Sequence, residues 1–541
     1  MRPLLTASEM GNADRLTTER FGIPSLLLME NAAAAIAEAA SMVLADDLGS
    51  EKITVLCGKG NNGGDGAAAA RLLWLKGARV RIFLFGRVED TNGDAKTNFE
   101  IAKALNGQRS PKGGTIELAE IPELGAWKEA VRTEVEDSAV AIDALFGTGL
   151  ARPLEGDLAD AVELLQTNGI QSEPTVISVD IPSGLVADSS EIIGPHAAAD
   201  LTVTFTAPKF ANLMPPAGSF NGELEIADIG TPAELAEEAG SGAFISEMSD
   251  AAKWLRKTAF TDTSYKKKRG TVAMVAGSAK YAGAAVLAAN GAIESGVGMV
   301  TLAVPTCAVA AVSERLHPEV ITIGIAETED GFASVEAFDE IADLLATSDA
   351  VGIGCGLGSE HETTRDLVRR VIENRKCPVV IDADGLNSIA PMSVEGSPDA
   401  PLILTPHQGE FLRLLGTDDE SAIEDRIGAV RDFSRDHSVI TVLKGPRSLV
   451  ADPDGRVVLV TTGNAGTGKA GNGDNLTGIL TGFVAQARRF GIDQFETSFV
   501  AVYLAGFAAD IAMERIGARS MRASDVRRYF AEAVQAIEEE F

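Results

Sequence analysis

The sequence predicts an α/β protein of two units, each a parallel sheet covered by helices on both faces. Short, continuously apolar runs alternate with helical stretches in both halves, the pattern of strands buried on both sides. The alternation breaks once, over 231–250, into the small-residue, acidic stretch TPAELAEEAGSGAFISEMSD, and then restarts. At 541 residues the chain also exceeds the size at which a single core usually stops growing.

Taken in order, the first half offers strands KITVLC (52–57), ARVRIFLF (78–85), SAVAIDALF (138–146), TVISVDI (175–181), LTVTFTA (201–207) and ELEIADI (223–229), with helices over 67–76 and 157–167. Residues 231–249 read as a linker or connecting helix between units at 1–230 and 250–541. The run KKKR at 266–269 reads as a solvated basic edge before the next strand. Then follow TVAMVAG (271–277), an alanine-rich helix near 283–295, MVTLAVP (299–305), DAVGIG (349–354), PVVIDADG (378–385), LILTP (402–406) and SVITVLKG (438–445). Two helices, about 474–489 and 497–516, are expected to close the chain. No internal repeat relates the halves, so the units are of different kinds.

Composition narrows the function. An apolar fraction of 45% with only 5% aromatics and 55 glycines suits alanine- and valine-rich α/β layers with many tight turns. Lys and Arg number 47 against 78 Asp and Glu, a net charge of −31 that repels nucleic acid and anionic lipid. Such a surface suits a salty cytoplasm, where screening relieves the repulsion. Cys57, Cys307, Cys355 and Cys377 have no CxxC spacing and read as buried, reduced thiols of an intracellular protein without a zinc site. The start MRPLLTASEM lacks a signal peptide's apolar stretch, and no apolar run reaches the roughly 18 residues of a membrane helix. The longest candidate, 499–513, is broken by Gly506 and Asp510. The expectation is a soluble cytoplasmic protein, with a homo-oligomer left open.

The loop CGKGNNGGDG contains Gly58-x-Gly60-x-x-Gly63, the glycine spacing of a dinucleotide fingerprint. That fingerprint needs an acidic residue about 20 positions on, at the end of the second strand. Here the position reads FLFGRVED, with Arg87 first and Glu89 only later. A phosphate-bearing ligand still fits the glycines and the helix N-terminus that follows. Asn61, Asn62 and Asp65 add side-chain groups where an ordinary fingerprint uses backbone alone. Two other strand ends carry oxygen groups: Asp143 with Phe146-Gly147-Thr148-Gly149, and Asp180-Ile181-Pro182-Ser183-Gly184. Each alone serves equally as a structural turn, but three on one sheet edge converge on one crevice. Asn62, Asp143 and Ser183 together offer hard oxygen ligands to a cation, leaving Asp180 for proton transfer or ligand hydroxyls.

With PSLLLMENA (24–32), GNNGGDG (60–66), DALFGTG (143–149) and DIPSG (180–184), the first half resembles the NAD(P)H-hydrate epimerase family, a Rossmann-like three-layer sandwich. The resemblance implies that Asn61, Asn62, Gly63, Gly64 and Asp65 bind the hydrated dinucleotide. It implies the same for Gly147, Thr148, Gly149, Leu150, Ala151, Arg152 and Pro153. Asn62, Asp143 and Ser183 would hold potassium, and Asp180 would contact substrate and serve catalysis.

In the second half, GTGKAGNGDNLTG (466–478) enters a helix at Asp474. Backbone N–H groups there cradle an anion, and a carboxylate beside a bound phosphoryl group can take the proton of an attacking hydroxyl. Asp474 is equally suited to capping the helix. GCGLG (354–358), DADGLN (382–387), TPHQGE (405–410) and LKG (443–445) each follow a strand and should meet at the same edge. This series resembles the ribokinase-like ADP- or ATP-dependent NAD(P)H-hydrate dehydratase family. The resemblance implies that Lys444, Gly445, Pro446, Arg447, Ser448 and Gly473 line the nucleotide site. Ala284, Gly356, His407 and the catalytic Asp474 would contact the hydrate, with Mg2+ on the nucleotide phosphates. Cys355 stands where the family often has proline, and Asn472 where it has threonine or methionine; neither is expected to touch the catalytic aspartate. His407 is open to a capping role. The alternative reading is a small-molecule kinase of the same fold fused to a non-catalytic nucleotide-binding domain.

Overall fold

The computed structural model describes residues 1–45, 48–49, 51–166 and 174–540. They form two compact units, one of 3–241 and one of 242–541 together with Met1 and Arg2. The chain carries strands β1 (Arg2–Pro3), β2 (Lys52–Cys57), β3 (Arg79–Leu84), β4 (Thr115–Glu120), β5 (Val140–Ala144), β6 (Thr175–Val179), β7 (Leu201–Phe205) and β8 (Glu223–Ala227). The second series is β9 (Ala243–Ile245), β10 (Thr271–Val275), β11 (Met299–Pro305), β12 (Ile321–Ile325), β13 (Ala350–Ile353), β14 (Val379–Ile381), β15 (Leu402–Leu404), β16 (Ile440–Leu443), β17 (Leu449–Ala451) and β18 (Val457–Leu459).

In the first unit the sheet order is β4-β3-β2-β5-β6-β7-β8, all parallel. This is a Rossmann-like order, and its direction reverses between β2 and β5. Strand carboxyl ends leave a crevice at such a reversal. The helix Asn61–Lys76 springs from β2, so the NNGG of CGKGNNGGDG is its first turn rather than a loop before it. The glycines are there for close approach. A Cβ on Gly63 would stand 1.9 Å from the Gly58 carbonyl oxygen, and one on Gly66 would stand 2.5 Å from Ala144 Cβ. The helix Ala7–Phe21 begins with a capping box between Thr6 and Glu9.

The helix Ser25–Val43 is long and apolar enough to cross a membrane, so the candidate lies here and not at 499–513. Leu28, Ala32, Ala33, Ile36, Ala37 and Ala40 bury one of its faces in the first unit's core. Those contacts account for its apolar character. The expected helix over 157–167 is formed as Asp157–Val162; its last residue, Thr167, lies outside the described residues. Residues 231–249 hold a short helix, Ala233–Ala239, the strand β9 and the start of the helix Met248–Lys257.

In the second unit the order is β1-β9-β18-β17-β16-β15-β14-β13-β10-β11-β12. The block from β12 to β16 is parallel and again reverses beside its first strand, between β10 and β13. β17 runs antiparallel to both its neighbours. The helices Ala282–Glu294 and Asn472–Phe490 pack almost backbone to backbone: a Cβ on Gly478 would stand 2.0 Å from the Ala288 carbonyl oxygen. This contact fixes the helix that carries Asp474.

Three expectations need correction. Four helices close the chain, because Ala523–Arg528 and Phe530–Glu540 follow Gln494–Ile516 and bury Val526, Phe530, Ala533 and Ile537. Arg269 is buried rather than a solvated edge: its guanidinium lies 3.7 Å from the Phe260 ring centroid and donates to Thr258 O and Gln486 Oε1. Cys307 is exposed, whereas Cys57, Cys355 and Cys377 are buried; all four are free thiols.

Candidate functional site

In the first unit the reversal holds a cavity of about 710 Å³, within the range of small-molecule and cofactor sites. Of the residues expected here, Asn61, Asn62, Asp65, Gly147, Thr148, Gly149, Leu150 and Asp180 line it. Gly63 and Gly64 are buried behind the helix's first turn, Gly64 against Ala95 and Met29. Ala151, Arg152 and Pro153 are exposed beyond the cavity lining.

Asp180 follows β6 directly, in a left-handed conformation, φ 67°. A non-glycine residue held there needs surrounding structure to enforce it. Asn212 Nδ2 donates to its carbonyl at 3.0 Å, and its own N–H donates to Val203 O at 2.7 Å. Its Oδ1 accepts from Thr204 Oγ1 at 2.9 Å and from Lys209 Nζ at 2.5 Å. Lys209 is fully buried yet borders the cavity. Sequence reasoning missed it, together with Asp14 on the helix Ala7–Phe21, which also lines the cavity. Burial, with the Asp180 charge adding to it against Lys209 and a hydrogen bond from Thr231, pushes Asp14 up to about 6. Asp65 is pushed well above the usual carboxylate range, first by burial, then by the charges of Asp180 and Asp14.

Asp143 is fully buried, and burial raises its pKa against four hydrogen bonds. Ser183 N donates to Oδ2 at 2.8 Å, Ser178 Oγ to Oδ2 at 2.9 Å, and Ser183 Oγ to Oδ1. Asn62 Nδ2 is buried with no hydrogen-bond partner among the described residues, while Asn62 Oδ1 lies where a Cβ on Gly147 would come within 2.9 Å. A buried carboxylate with serine hydroxyls packed on it offers hard oxygen donors of the kind a weakly charged cation takes.

In the second unit the strand ends bring a different set together. Asp382, after β14, is sealed: Lys444 Nζ lies 2.7 Å from Oδ1, and Thr477 Oγ1 donates to Oδ2 at 2.7 Å. Burial alone would raise its pKa, but Lys444's charge and these hydrogen bonds hold it below the usual range. Lys444 keeps its proton above the usual lysine range, because Asp382 and Glu410 outweigh the burial that would lower it. A Cβ on Gly473 would stand 3.3 Å from Lys444 Nζ, which places Asp474, on the same helical turn, beside the pair.

Asp474 is half-buried and pushed up to about 6, by burial first and the Asp382 charge second. Opposing these is a hydrogen bond from Cys355. Cys355 therefore does touch this aspartate, against expectation. The turn after β13 delivers the buried thiol under the helix start, where Thr477 also bonds it.

Gly356, φ 68°, packs on Ala284: an added Cβ would stand 2.9 Å from Ala284 Cβ. His407 caps the helix Gln408–Leu415, its Nδ1 accepting from Gly409 N at 3.0 Å and Glu410 N at 3.3 Å, and it bridges to Lys444. Gly445 and Pro446 are exposed in the turn between β16 and β17, with Arg426 Nη1 donating to Pro446 O at 3.0 Å. Arg447 and Ser448 are partly buried, Arg447 at φ 57° donating to Thr461 O. The lysine thus faces the aspartates, while the following turn opens outward.

A strand-reversal cavity in the first unit and a buried lysine–aspartate pair at the strand ends of the second, each beside a glycine-rich helix start, define a two-site α/β enzyme for phosphate-bearing ligands. Family models described as YjeF-related protein N-terminus and NAD(P)H-hydrate dehydratase match residues 25–211 and 272–531. The chain is 37% identical over 540 residues to the bifunctional NAD(P)H-hydrate repair enzyme Nnr of Moorella thermoacetica, covering 99% of this chain and 97% of that one. It is 36% identical over 543 residues to the same-named enzyme of Salinibacter ruber, covering 97% and 94%. Among solved structures, the ADP/ATP-dependent NAD(P)H-hydrate dehydratase from Bacillus subtilis, co-crystallised with ATP and Mg2+, covers 55% of this chain and 100% of its own at 27% identity, with a TM-score of 0.48. The chain belongs to the family of bifunctional NAD(P)H-hydrate repair enzymes.

Proposed function

We propose that the first unit interconverts the R and S epimers of NAD(P)H hydrated at nicotinamide C6, and that the second dehydrates the S epimer at the expense of ADP or ATP. The observation that carries the second reaction is Asp474, a half-buried carboxyl near pKa 6 on the glycine-led first turn of its helix, beside the Lys444–Asp382 pair. Helix N–H groups there suit phosphate. Asp474 accepts the C6 hydroxyl proton as that oxygen bonds the terminal phosphorus and the nucleotide's leaving oxygen departs. Phosphate then leaves C6 as C5 loses a proton, restoring the dihydropyridine. Asp382, sealed by Lys444 and Thr477, stays ionised and takes no part in proton transfer. Gly356, Ala284 and His407 line the hydrate's side of the crevice, and the turn 444–448 with Gly473 lines the nucleotide's.

Asn62, Asp143 and Ser183 would hold potassium in the first unit, where a fixed positive charge offsets the buried Asp143 carboxylate. Mg2+ would arrive on the nucleotide phosphates, which supply its oxygen ligands. The substrate pool and the four free thiols suit a cytoplasmic enzyme.

Incubating mixed R and S hydrates with ADP or ATP, with and without potassium, tests the reading. Both epimers should convert to NAD(P)H when potassium is present, and only S should convert promptly without it. Phosphorylated hydrate accumulating with no release of phosphate would favour a small-molecule kinase instead.

A further inference from the structure

The first unit's cavity holds more proton-transfer groups than its expected site residues supply. Asp180 presents one oxygen to Lys209 and Thr204 and keeps a side chain 13% exposed. Asp14 reaches the same cavity from the helix Ala7–Phe21, with Thr231 Oγ1 donating to its Oδ1 at 3.3 Å. Resting on the epimerase reading above, we propose that Asp14 is the second proton-transfer group of the epimerase, paired in function with Asp180, which Lys209 contacts from the buried side.

The chemistry asks for such a pair. A hydroxyl on a carbon bonded to a ring nitrogen is a hemiaminal, which inverts by opening and reclosing. Asp180 takes the C6 hydroxyl proton, the C–O bond becomes a carbonyl, and the C6–N1 bond breaks with its electron pair going to N1. Asp14 delivers its proton to N1. Rotation about C5–C6 presents the other carbonyl face, N1 adds to it, and both protons return to where they began. No oxidant, reductant or co-reactant enters.

This assignment needs one carboxyl to take a proton and one to give it, and the two stand in different surroundings. Asp180 is ion-paired with a buried ammonium. Asp14 faces the charges of Asp65, Asp180 and Lys209 and is pushed up to about 6 by burial foremost. A general acid works best with its pKa near the operating pH. Asp65, at the helix start in the same cavity, is pushed well above the usual carboxylate range, by burial first. Lys59 and Asp94 also border the cavity.

The test uses the full-length protein with pure R hydrate, following epimerisation against pH. Wild type should lose rate as pH rises through Asp14's titration, because the acid must start protonated. Asp14→Asn, which preserves shape, should lower epimerisation about 100-fold with that pH dependence abolished and thermal unfolding unchanged. Asp14→Glu, which restores the acid, should recover part of the rate and the pH dependence. Epimerisation by Asp14→Asn within threefold of wild type, with an unaltered pH profile, would overturn the proposal and pass the role to Asp65. A wild-type protein that epimerises nothing would defeat the underlying reading itself.

Discussion

The two crevices are built alike and assign their carboxylates differently. Each gathers its groups at the carboxyl ends of parallel strands, the first beside the reversal between β2 and β5, the second after β13, β14 and β16. Each contains a largely or fully buried lysine on an aspartate, Lys209 on Asp180 at 2.5 Å and Lys444 on Asp382 at 2.7 Å. Each adds a second aspartate pushed up to about 6, Asp14 or Asp474. The difference lies in which carboxylate meets the ligand. Asp382, 2% exposed, is closed off by Lys444 and Thr477, which leaves Asp474 to take the hydroxyl proton. Asp180 keeps an open side toward its cavity, so there the paired carboxylate faces substrate as well. A phosphoryl-transfer step needs one base, whereas inversion of a hemiaminal needs an acid and a base. The two arrangements follow those demands.

The comparison breaks most visibly at Asp474. Asp474→Asn should lower nucleotide-dependent dehydration about 10³-fold, the usual scale for a lost general base, and leave R–S interconversion untouched. Stopped assays of NAD(P)H absorbance on S hydrate measure the first effect, and epimer-resolving chromatography the second. Dehydration within tenfold of wild type would remove Asp474 from the chemistry.

A smaller effect sharpens the same site. Because Asp474 must be ionised to accept a proton, dehydration should fall about tenfold per pH unit below about 6. The Cys355 thiol hydrogen bond lowers the Asp474 pKa, so Cys355→Ala should move that fall to higher pH. At pH ~6 the variant should run about threefold slower and at pH ~8 about as fast as wild type, the scale of one modest hydrogen bond. An equal loss at both pH values would mean that the thiol supports packing alone.

Much of this was readable from residue order. Strands such as KITVLC and TVISV are mostly apolar and buried along almost their whole length because both faces are covered, and their ends carry the glycine and aspartate turns. Strands at the sheet margins were harder to see. β4, TIELAE, buries only Ile116 fully, and β12, ITIGI, leaves Ile321 half-exposed, so neither reads as a buried run. β9, β17 and β18 are three residues each, too short to show a period. Lys209 in APKF reads as a surface cation; only the parallel pairing of β6 and β7 brings Asp180 to it and makes burial affordable. Asp14 sits on a helix before the first long strand, with no motif around it. Cys355 reads as a small apolar residue of a glycine turn, and its contact with Asp474 joins positions more than a hundred residues apart.

On this reading one chain runs two separable reactions, one in each unit. The sharpest test is full-length Asp180→Asn, given a mixture of R and S hydrates with ADP or ATP and potassium. S should disappear at the wild-type rate while R persists. Equal loss of both conversions in a normally folded variant would contradict it.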